Sequence, residues 1–446
     1  MKKFFFLFNF LFFSSFIFSY ELFFIEKEGK NTRNGYLSQG LNIIAETEKG
    51  FLFLNEGFER LDGLEIKKIG DFSRDLYFIT ERFEGADINS CGRVLFKEGN
   101  LYLVEAEEKF PCLGTKNFFV HKLSMEKLSP SKSFKKISLE KNFFVEDMLN
   151  NFNSDLAQEE LLELVGFADS RYSTNPGCFS STQRAYEIFQ NLGLDVEFQD
   201  YSLTFAPNVV GTLEGLLEKD KIIILIAHID DMPKTPPAPG ANDNGSGSSM
   251  VLNLARVLSN YRFAYTIKFI LVTGEEQGLV GSSYYATKAY QKGEDILAVL
   301  NADMIGWEGD GKPQEEDLDL SYDENSQGLA EMFAETYNLY ENLVPVNMIY
   351  CPTNYYSDHY SFWERGYPAI MGITDNEGIC FQKGTYPYYH THLDTVENCG
   401  DLDFYIKSLR SYLAVLAHMA KPLCKVMDSK KFTNLDFKYI CPVRID

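Results

Sequence analysis

The chain has no run of basic residues, no CxxC pair, no internal repeat, and only six histidines. Beyond its first twenty residues it also has no apolar stretch approaching the length of a membrane span. Each absence excludes something. With 42 basic and 64 acidic residues the formal charge is −22, a field that repels a phosphate backbone and argues against a nucleic-acid partner. Without CxxC spacing, a cysteine-ligated zinc site has no support. Without a later apolar run, nothing after the N-terminus is expected to span a bilayer.

What is present bounds the rest. The hydrophobic share of 45% and aromatic share of 15% suffice for a large core and exclude global disorder. A length of 446 residues predicts two or more units. Lys2 and Lys3 precede an almost unbroken apolar run from Phe4 to Phe18, followed by Ser19, Tyr20 and Glu21. A short positive region before an apolar core too short for a span predicts a signal peptide over residues 1–20, with an uncleaved anchor as the other reading. The expected location is secreted or periplasmic. All eight cysteines follow this segment, and an even count in an exported chain favours disulfides. Cys91–Cys112 and Cys424–Cys441 are candidate local pairs.

Residues 21–125 read as a small β-rich domain of short strands broken by Gly, Asn and Asp turns, for example 50–54, 93–96 and 101–104. No chemical constellation is evident in it. Residues 126–140 are polar and read as a linker. From 141 to 425 the pattern changes. A helix is expected near Val145–Ala168 and another near Thr182–Leu192. Four fully apolar runs follow, Ile222–Ile226, Ile267–Val272, Ile296–Leu300 and Ala369–Ile373, with amphipathic spacing at Met250, Val251, Leu254, Val257 and Leu258. Continuous apolar runs alternating with helices predict an α/β fold, a mostly parallel central sheet with helices on both faces. Residues 426–446 form a C-terminal tail.

Metal-competent side chains fall just beyond these strands, the edge where open α/β sheets bind ligands. His228 and Asp230 follow the first run, Glu275 and Glu276 the second, and Asp303 the third. Asp243 lies in a Gly- and Asn-rich turn that opens a helix, and His390 lies in a loop beyond the fourth run. Taken singly, each has a plain structural explanation: a satisfied histidine, a solvated pair, a helix cap. Their coincidence is the signal, because crowded carboxylates need cations or raised pKa values.

The segments Ala227-His228-Ile229-Asp230, Pro239-Gly240-Ala241-Asn242-Asp243, Gly274-Glu275-Glu276-Gln277-Gly278, Asn301-Ala302-Asp303-Met304 and His390-Thr391-His392-Leu393-Asp394-Thr395 occur in one order. Together they resemble the M28 family of zinc peptidases, which includes secreted bacterial leucyl aminopeptidases. Ser357-Asp358-His359 matches a further landmark of that family, and the resemblance runs from near Lys141 to near Lys421. It implies two zinc ions, one held by His228, Asp243 and Asp303, the other by Asp243, Glu276 and His390, with Asp243 bridging. It also implies that Asp230 accepts the other ring N–H of His228 and that Glu275 is the general base for a metal-activated water. Tyr355 or Tyr356 is the candidate oxyanion donor, although its offset departs from the family pattern. Asn242 is expected to neighbour the site, His392 to lie on its rim, and His359 to be structural. His121 and His418 receive no functional role.

The implied activity is removal of N-terminal residues from peptides with a free amine. Three rivals stand beside it. Glutaminyl cyclases share the fold with one zinc, but carry a tryptophan where Tyr389 precedes His390, and the Thr391–Thr395 run has the peptidase form. A carboxypeptidase of the same family would need a basic pocket. A catalytically dead binding ectodomain would have lost ligands, and this chain retains all of them.

Overall fold

The computed structural model describes residues 20–27, 33–47, 49–54, 66–81, 87–99, 101–107, 109–113, 118–123, 125, 127–307, 317–374, 376–377, 383–384, 386–400 and 402–426. The signal-peptide reading lies outside these residues except for Tyr20, and the tail lies outside them except for Val426.

The first part is built from β1 (Tyr20–Glu26), α1 (Arg33–Ser38), β2 (Asn42–Glu46), β3 (Gly50–Leu54), β4 (Ile66–Phe72), β5 (Asp75–Glu81), β6 (Arg93–Glu98), β7 (Leu101–Ala106) and β8 (Phe118–Lys122). They form two four-stranded antiparallel sheets, ordered β2-β3-β1-β4 and β6-β7-β5-β8. The Cys91–Cys112 disulfide closes the second sheet's turn region. Cys351 and Cys424 are disulfide-bonded as well, while Cys178 and Cys399 are free and buried.

The segment expected to be a linker has no regular structure, yet it is not loose. Leu128 donates its N–H to Ile43 of β2, Ser129 to Glu364, Lys132 to Gly366 and Phe134 to Asn325. It straps the two parts together, because each extended backbone donor finds a carbonyl on one part or the other.

The larger part runs α2 (Phe143–Asn150), α3 (Ser154–Gly166), α4 (Pro176–Asn191), β9 (Asp195–Gln199), β10 (Asn208–Leu213), β11 (Glu218–His228), α5 (Gly247–Leu258), β12 (Tyr261–Phe263), β13 (Tyr265–Val272), α6 (Val280–Lys292), β14 (Asp295–Ala302), β15 (Leu318–Tyr322), α7 (Gln327–Thr336), β16 (Val346–Tyr350), α8 (His359–Glu364), β17 (Ala369–Thr374) and α9 (Leu402–Ala420). The single helix expected over 145–168 is two. Asn151 caps the end of the first, and the Asn153 side chain accepts Leu156 N–H to start the second. The next helix starts earlier than expected, at Pro176, with the Asn175 side chain capping Gly177 N–H.

The eight-stranded sheet has the order β16-β15-β17-β14-β11-β13-β10-β9. Its four central strands, β17, β14, β11 and β13, are mutually parallel and contain the four apolar runs. The flanks are antiparallel joins, β10 to β13 and β15 to β17, so the sheet is mixed at its edges. The runs are continuous because both faces are covered. Ile223, Leu225 and Ala227 pack into the core with α3, α5 and α9. Their neighbours Ile222, Ile224 and Ile226 pack with α6, α8 and the N-terminal residues Leu22, Phe24, Phe78 and Leu103. The N-terminal part thus shares a core with one face of the sheet. Among the described residues, no helix is long and apolar enough to cross a membrane.

Candidate metal centre

The carboxyl ends of the central strands converge. His228 is the last residue of β11, Asp303 follows β14 directly, and Glu275 and Glu276 follow β13 after Thr273-Gly274. Gly274 has φ +75°, and a Cβ there would meet the Tyr201 hydroxyl at 2.8 Å, so the turn that aims both glutamates inward requires glycine. Asp243 sits in the turn Ala241–Ser246 ahead of α5. Gly240, which opens that turn at φ +52°, has no room for a Cβ against Asp243 O and Asp231 Cβ. His390 and Met304 are non-glycine residues at φ +55°, a costly conformation of the kind that clusters at functional sites.

The geometry gathers every metal-competent residue named from the sequence. His228 Nε2 lies 3.3 Å from Asp303 Oδ1, 3.5 Å from Asp243 Oδ1 and 3.9 Å from Glu275 Oε2. His390 Nε2 lies 2.7 Å from Glu276 Oε2 and 3.2 Å from Asp243 Oδ2. The donor atoms of His228, Asp243 and Glu276 fall within 4.8 Å of one another, as do those of His228, Glu275 and Asp303. His228, Asp243 and Asp303 are all buried.

Such a cluster strains against itself. Burial, then the neighbouring carboxylates, push Glu275 and Glu276 well above the usual carboxylate range, while His228 pulls them down. Burial alone would lower His228, but Glu275, Asp303 and Asp230 drive it well up. Glu276 Oε1 and both ring nitrogens of His390 are buried without a hydrogen bond among the described residues. Crowded carboxylate oxygens facing the Nε2 atoms of His228 and His390 are the donor set that a divalent cation satisfies.

The supports were mostly not legible in the sequence. His228 Nδ1 lies 3.1 Å from the backbone oxygen of Asp230 and 3.7 Å from its carboxylate, so the carbonyl is the nearer acceptor. The Asp230 carboxylate instead accepts from Ser173 Oγ at 2.7 Å and from Glu276 N–H at 3.4 Å, and Ser173 Oγ in turn accepts Gly274 N–H at 2.8 Å. Arg171 is fully buried and donates to the backbone oxygens of Ile229, Pro239 and Gly240, joining the β11 exit to the Asp243 turn. Asn242 neighbours the site, accepting Gly306 N–H at 2.8 Å through its side chain. His392 is exposed, while His359 is buried edge-on to Trp363.

Tyr355, a candidate oxyanion donor, has partners in the N-terminal part. It is buried, its hydroxyl pairs with Thr80 of β5, and its ring packs on Phe78 and His121, all from the N-terminal part. Tyr356 lies beside it, with ring centroids 4.5 Å apart. An apolar cluster of Met304, Trp307 and Tyr386, with Ile373, Tyr388 and Tyr389 packed on it, borders Asp303 and His390.

Buried carboxylates and imidazoles at the carboxyl ends of parallel strands form a metal-competent cluster where open α/β sheets bind ligands. Residues 208–408 match the profile of Peptidase family M28. A "Probable leucine aminopeptidase" of Arthroderma otae is 28% identical over 269 residues, covering 57% of this chain and 69% of that protein. A "Probable zinc metalloprotease" of Leptosphaeria maculans is 31% identical over 206 residues, 39% of this chain and 48% of that protein. The crystal structure of the Legionella pneumophila LapA aminopeptidase superposes with a TM-score of 0.60 at 21% identity, covering 78% of this chain and 98% of that one.

Proposed function

We propose that this chain is an exported aminopeptidase that uses two zinc ions to release apolar N-terminal residues from peptides. The observation that carries the reading is Asp243, whose Oδ1 faces His228 and whose Oδ2 faces His390. One carboxylate between two imidazoles suits two metals about 3.5–4 Å apart. Asp303 would complete the position of His228, and Glu276 that of His390. The relatives named for zinc and leucine aminopeptidase activity support the metal and the substrate class.

When bound, zinc supplies Lewis acidity to the scissile carbonyl and lowers the pKa of water. The rest falls to the chain's own residues. Glu275, 3.9 Å from His228 Nε2, takes the proton of the attacking water and returns it to the leaving amine. The acidic surroundings favour a substrate that enters amine-first. Tyr355 is engaged by Thr80, and Tyr356 beside it is the other candidate donor to the carbonyl oxygen.

The test is the purified protein against aminoacyl, glutaminyl and carboxyl-terminal reporter substrates, with and without chelator, beside Asp243→Asn. Chelator-sensitive release of apolar N-terminal residues is expected, with zinc lost from both positions in the variant. Ammonia release from N-terminal glutamine alone would favour the cyclase chemistry instead.

A further inference from the structure

We infer that Tyr389 is a positioning residue for His390, holding the imidazole by ring stacking where the other metal-site histidine is held by a hydrogen bond. This rests on the reading of His390 as a zinc ligand.

The two histidines are supported in different ways. His228 has an acceptor for its outer nitrogen, the Asp230 backbone oxygen at 3.1 Å from Nδ1. The outer nitrogen of His390, also Nδ1, is buried and has no hydrogen bond among the described residues. An imidazole ligand without an outer partner is free to rotate about its Cβ–Cγ bond, and that freedom costs metal affinity. Tyr389 supports the ring from its face instead. Its ring lies on the His390 ring with centroids 3.7 Å apart and an interplanar angle of 17°.

Adjacent side chains seldom face one another, and the backbone explains the exception. His390 takes φ +55°, within a turn closed by Thr391 N–H to Tyr388 O and by Thr391 Oγ1 to the same oxygen. This turn folds the two rings onto one side. Tyr389 is in turn packed on the cluster of Met304, Trp307 and Tyr386, so the stack is anchored on a wall that does not move with His390. Stacking also has the right electrostatic sign. An imidazole bound to a cation becomes electron-poor, and the π-face of a phenol attracts it more strongly than it attracts the free ring. The contact therefore favours the loaded state, and its strength resides in the ring, not the hydroxyl.

The experiment measures zinc affinity at each position by chelator competition, in the full-length protein, for the wild type, His390→Ala, Tyr389→Leu, Tyr389→Phe and Tyr389→Trp. Tyr389→Leu is expected to weaken one of the two ions by about 10–100-fold, the usual effect of removing an outer support, and to leave the other unchanged. Phe and Trp are expected to restore it, and added zinc to restore kcat in the Leu variant. Equal affinities in wild type and Tyr389→Leu overturn the inference, as does a Phe variant as weak as Leu. If the Leu variant does not fold, pentafluorophenylalanine at position 389 keeps the shape and reverses the ring quadrupole. Weaker zinc binding than in the Phe variant is then expected, and equal binding overturns the inference. His390→Ala separates the two claims. If it keeps both ions, the ligand reading fails. If it loses one while Tyr389→Leu loses none, only the stacking role fails.

Discussion

Asp394 accepts the backbone N–H of Asp243 through Oδ2 at 3.0 Å, holding from below the residue proposed to bridge two metals. Its other oxygen accepts Asn242 N–H at 2.8 Å and the Tyr386 hydroxyl at 2.6 Å. Burial pushes the Asp394 carboxyl up to about 7, and these three donors oppose that shift. The turn carrying Asp243 has non-helical dihedrals at Asp243 and Asn244, so it depends on this external acceptor for its shape. Asp394→Ala is expected to strand two buried N–H groups, costing roughly 2–4 kcal/mol, and to lower metal content without removing any proposed ligand. Thermal unfolding and metal analysis check both. Full metal content with unchanged stability would mean that the turn holds itself.

Glu275 presents a sharper alternative. It stands within 3.9 Å of His228 Nε2 and belongs to one of the two groups of clustered donor atoms, so geometry alone permits it as a ligand. As a base it should be dispensable for binding. Glu275→Gln is expected to keep both metals and to lose most turnover, at least about 100-fold, the usual worth of a positioned base. Metal analysis beside kcat decides: a lost zinc makes Glu275 a ligand, and retained turnover removes it as the base.

How far the sequence reached depends on the range over which each feature is encoded. The four central strands were legible because burial on both faces leaves an unbroken apolar run, as in Ile222–Ile226. His228, Glu276, Asp303 and Asp243 were legible because each stands just past such a run or in a glycine turn, while His390, in a loop beyond the fourth run, was named through the family resemblance. The outermost strands β9 and β16 were not legible, since they are partly exposed and lack that signature. Ser173 and Arg171 were missed as supports because their partners lie 57 to 101 residues away, and nothing local marks a serine that joins Asp230 to Gly274. The capture of Tyr355 by Thr80 spans 275 residues and was likewise out of reach.

The seam between the N-terminal part and the peptidase part carries a pH dependence. His121 of β8 is 3% exposed, neither ring nitrogen has a hydrogen bond among the described residues, and burial lowers its pKa to about 3. Phe78 across the strand and the rings of Tyr355 and Tyr360 face it, with Arg33, Glu46 and Glu364 acting on Tyr360 from behind. A histidine held neutral contributes stability that is complete above its unfolded pKa of about 6.5 and is lost as pH falls toward the folded value. By pH 5 the loss is about 2 kcal/mol. Replacement by Phe should flatten the stability profile between pH 6.5 and 4 without abolishing it. His359 and His418, lowered to about 3 and about 4 by the same cause, remain to titrate. Denaturant midpoints across that range test this, and an unchanged slope in the Phe variant would place His121 outside the acid response.

The last question is which end of a peptide the site accepts. Asp243, Glu275, Glu276 and Asp303 crowd the site, and the two imidazoles are the basic side chains that approach them most directly. Two divalent cations would balance these four carboxylates in charge, so an amine would be preferred as a metal donor and not through a residual negative field. Metals held by His228, Asp243, Asp303, Glu276 and His390 would supply coordination for the amine and Lewis acidity for the first carbonyl, and Glu275 would manage the proton of the attacking water. Acetylation removes both the charge and the lone pair of that amine, so N-acetylated peptides are expected to lose nearly all turnover, by about 100-fold or more in kcat/KM. Amidation of the far carboxyl leaves the reacting end untouched and is expected to change kcat/KM by less than about threefold. The comparison needs one apolar peptide in free, acetylated and amidated forms, each assayed with and without chelator. Acetylated peptide cut as fast as free would assign the site to internal cleavage. Refusal of the amidated form would turn the substrate around and make the enzyme a carboxypeptidase.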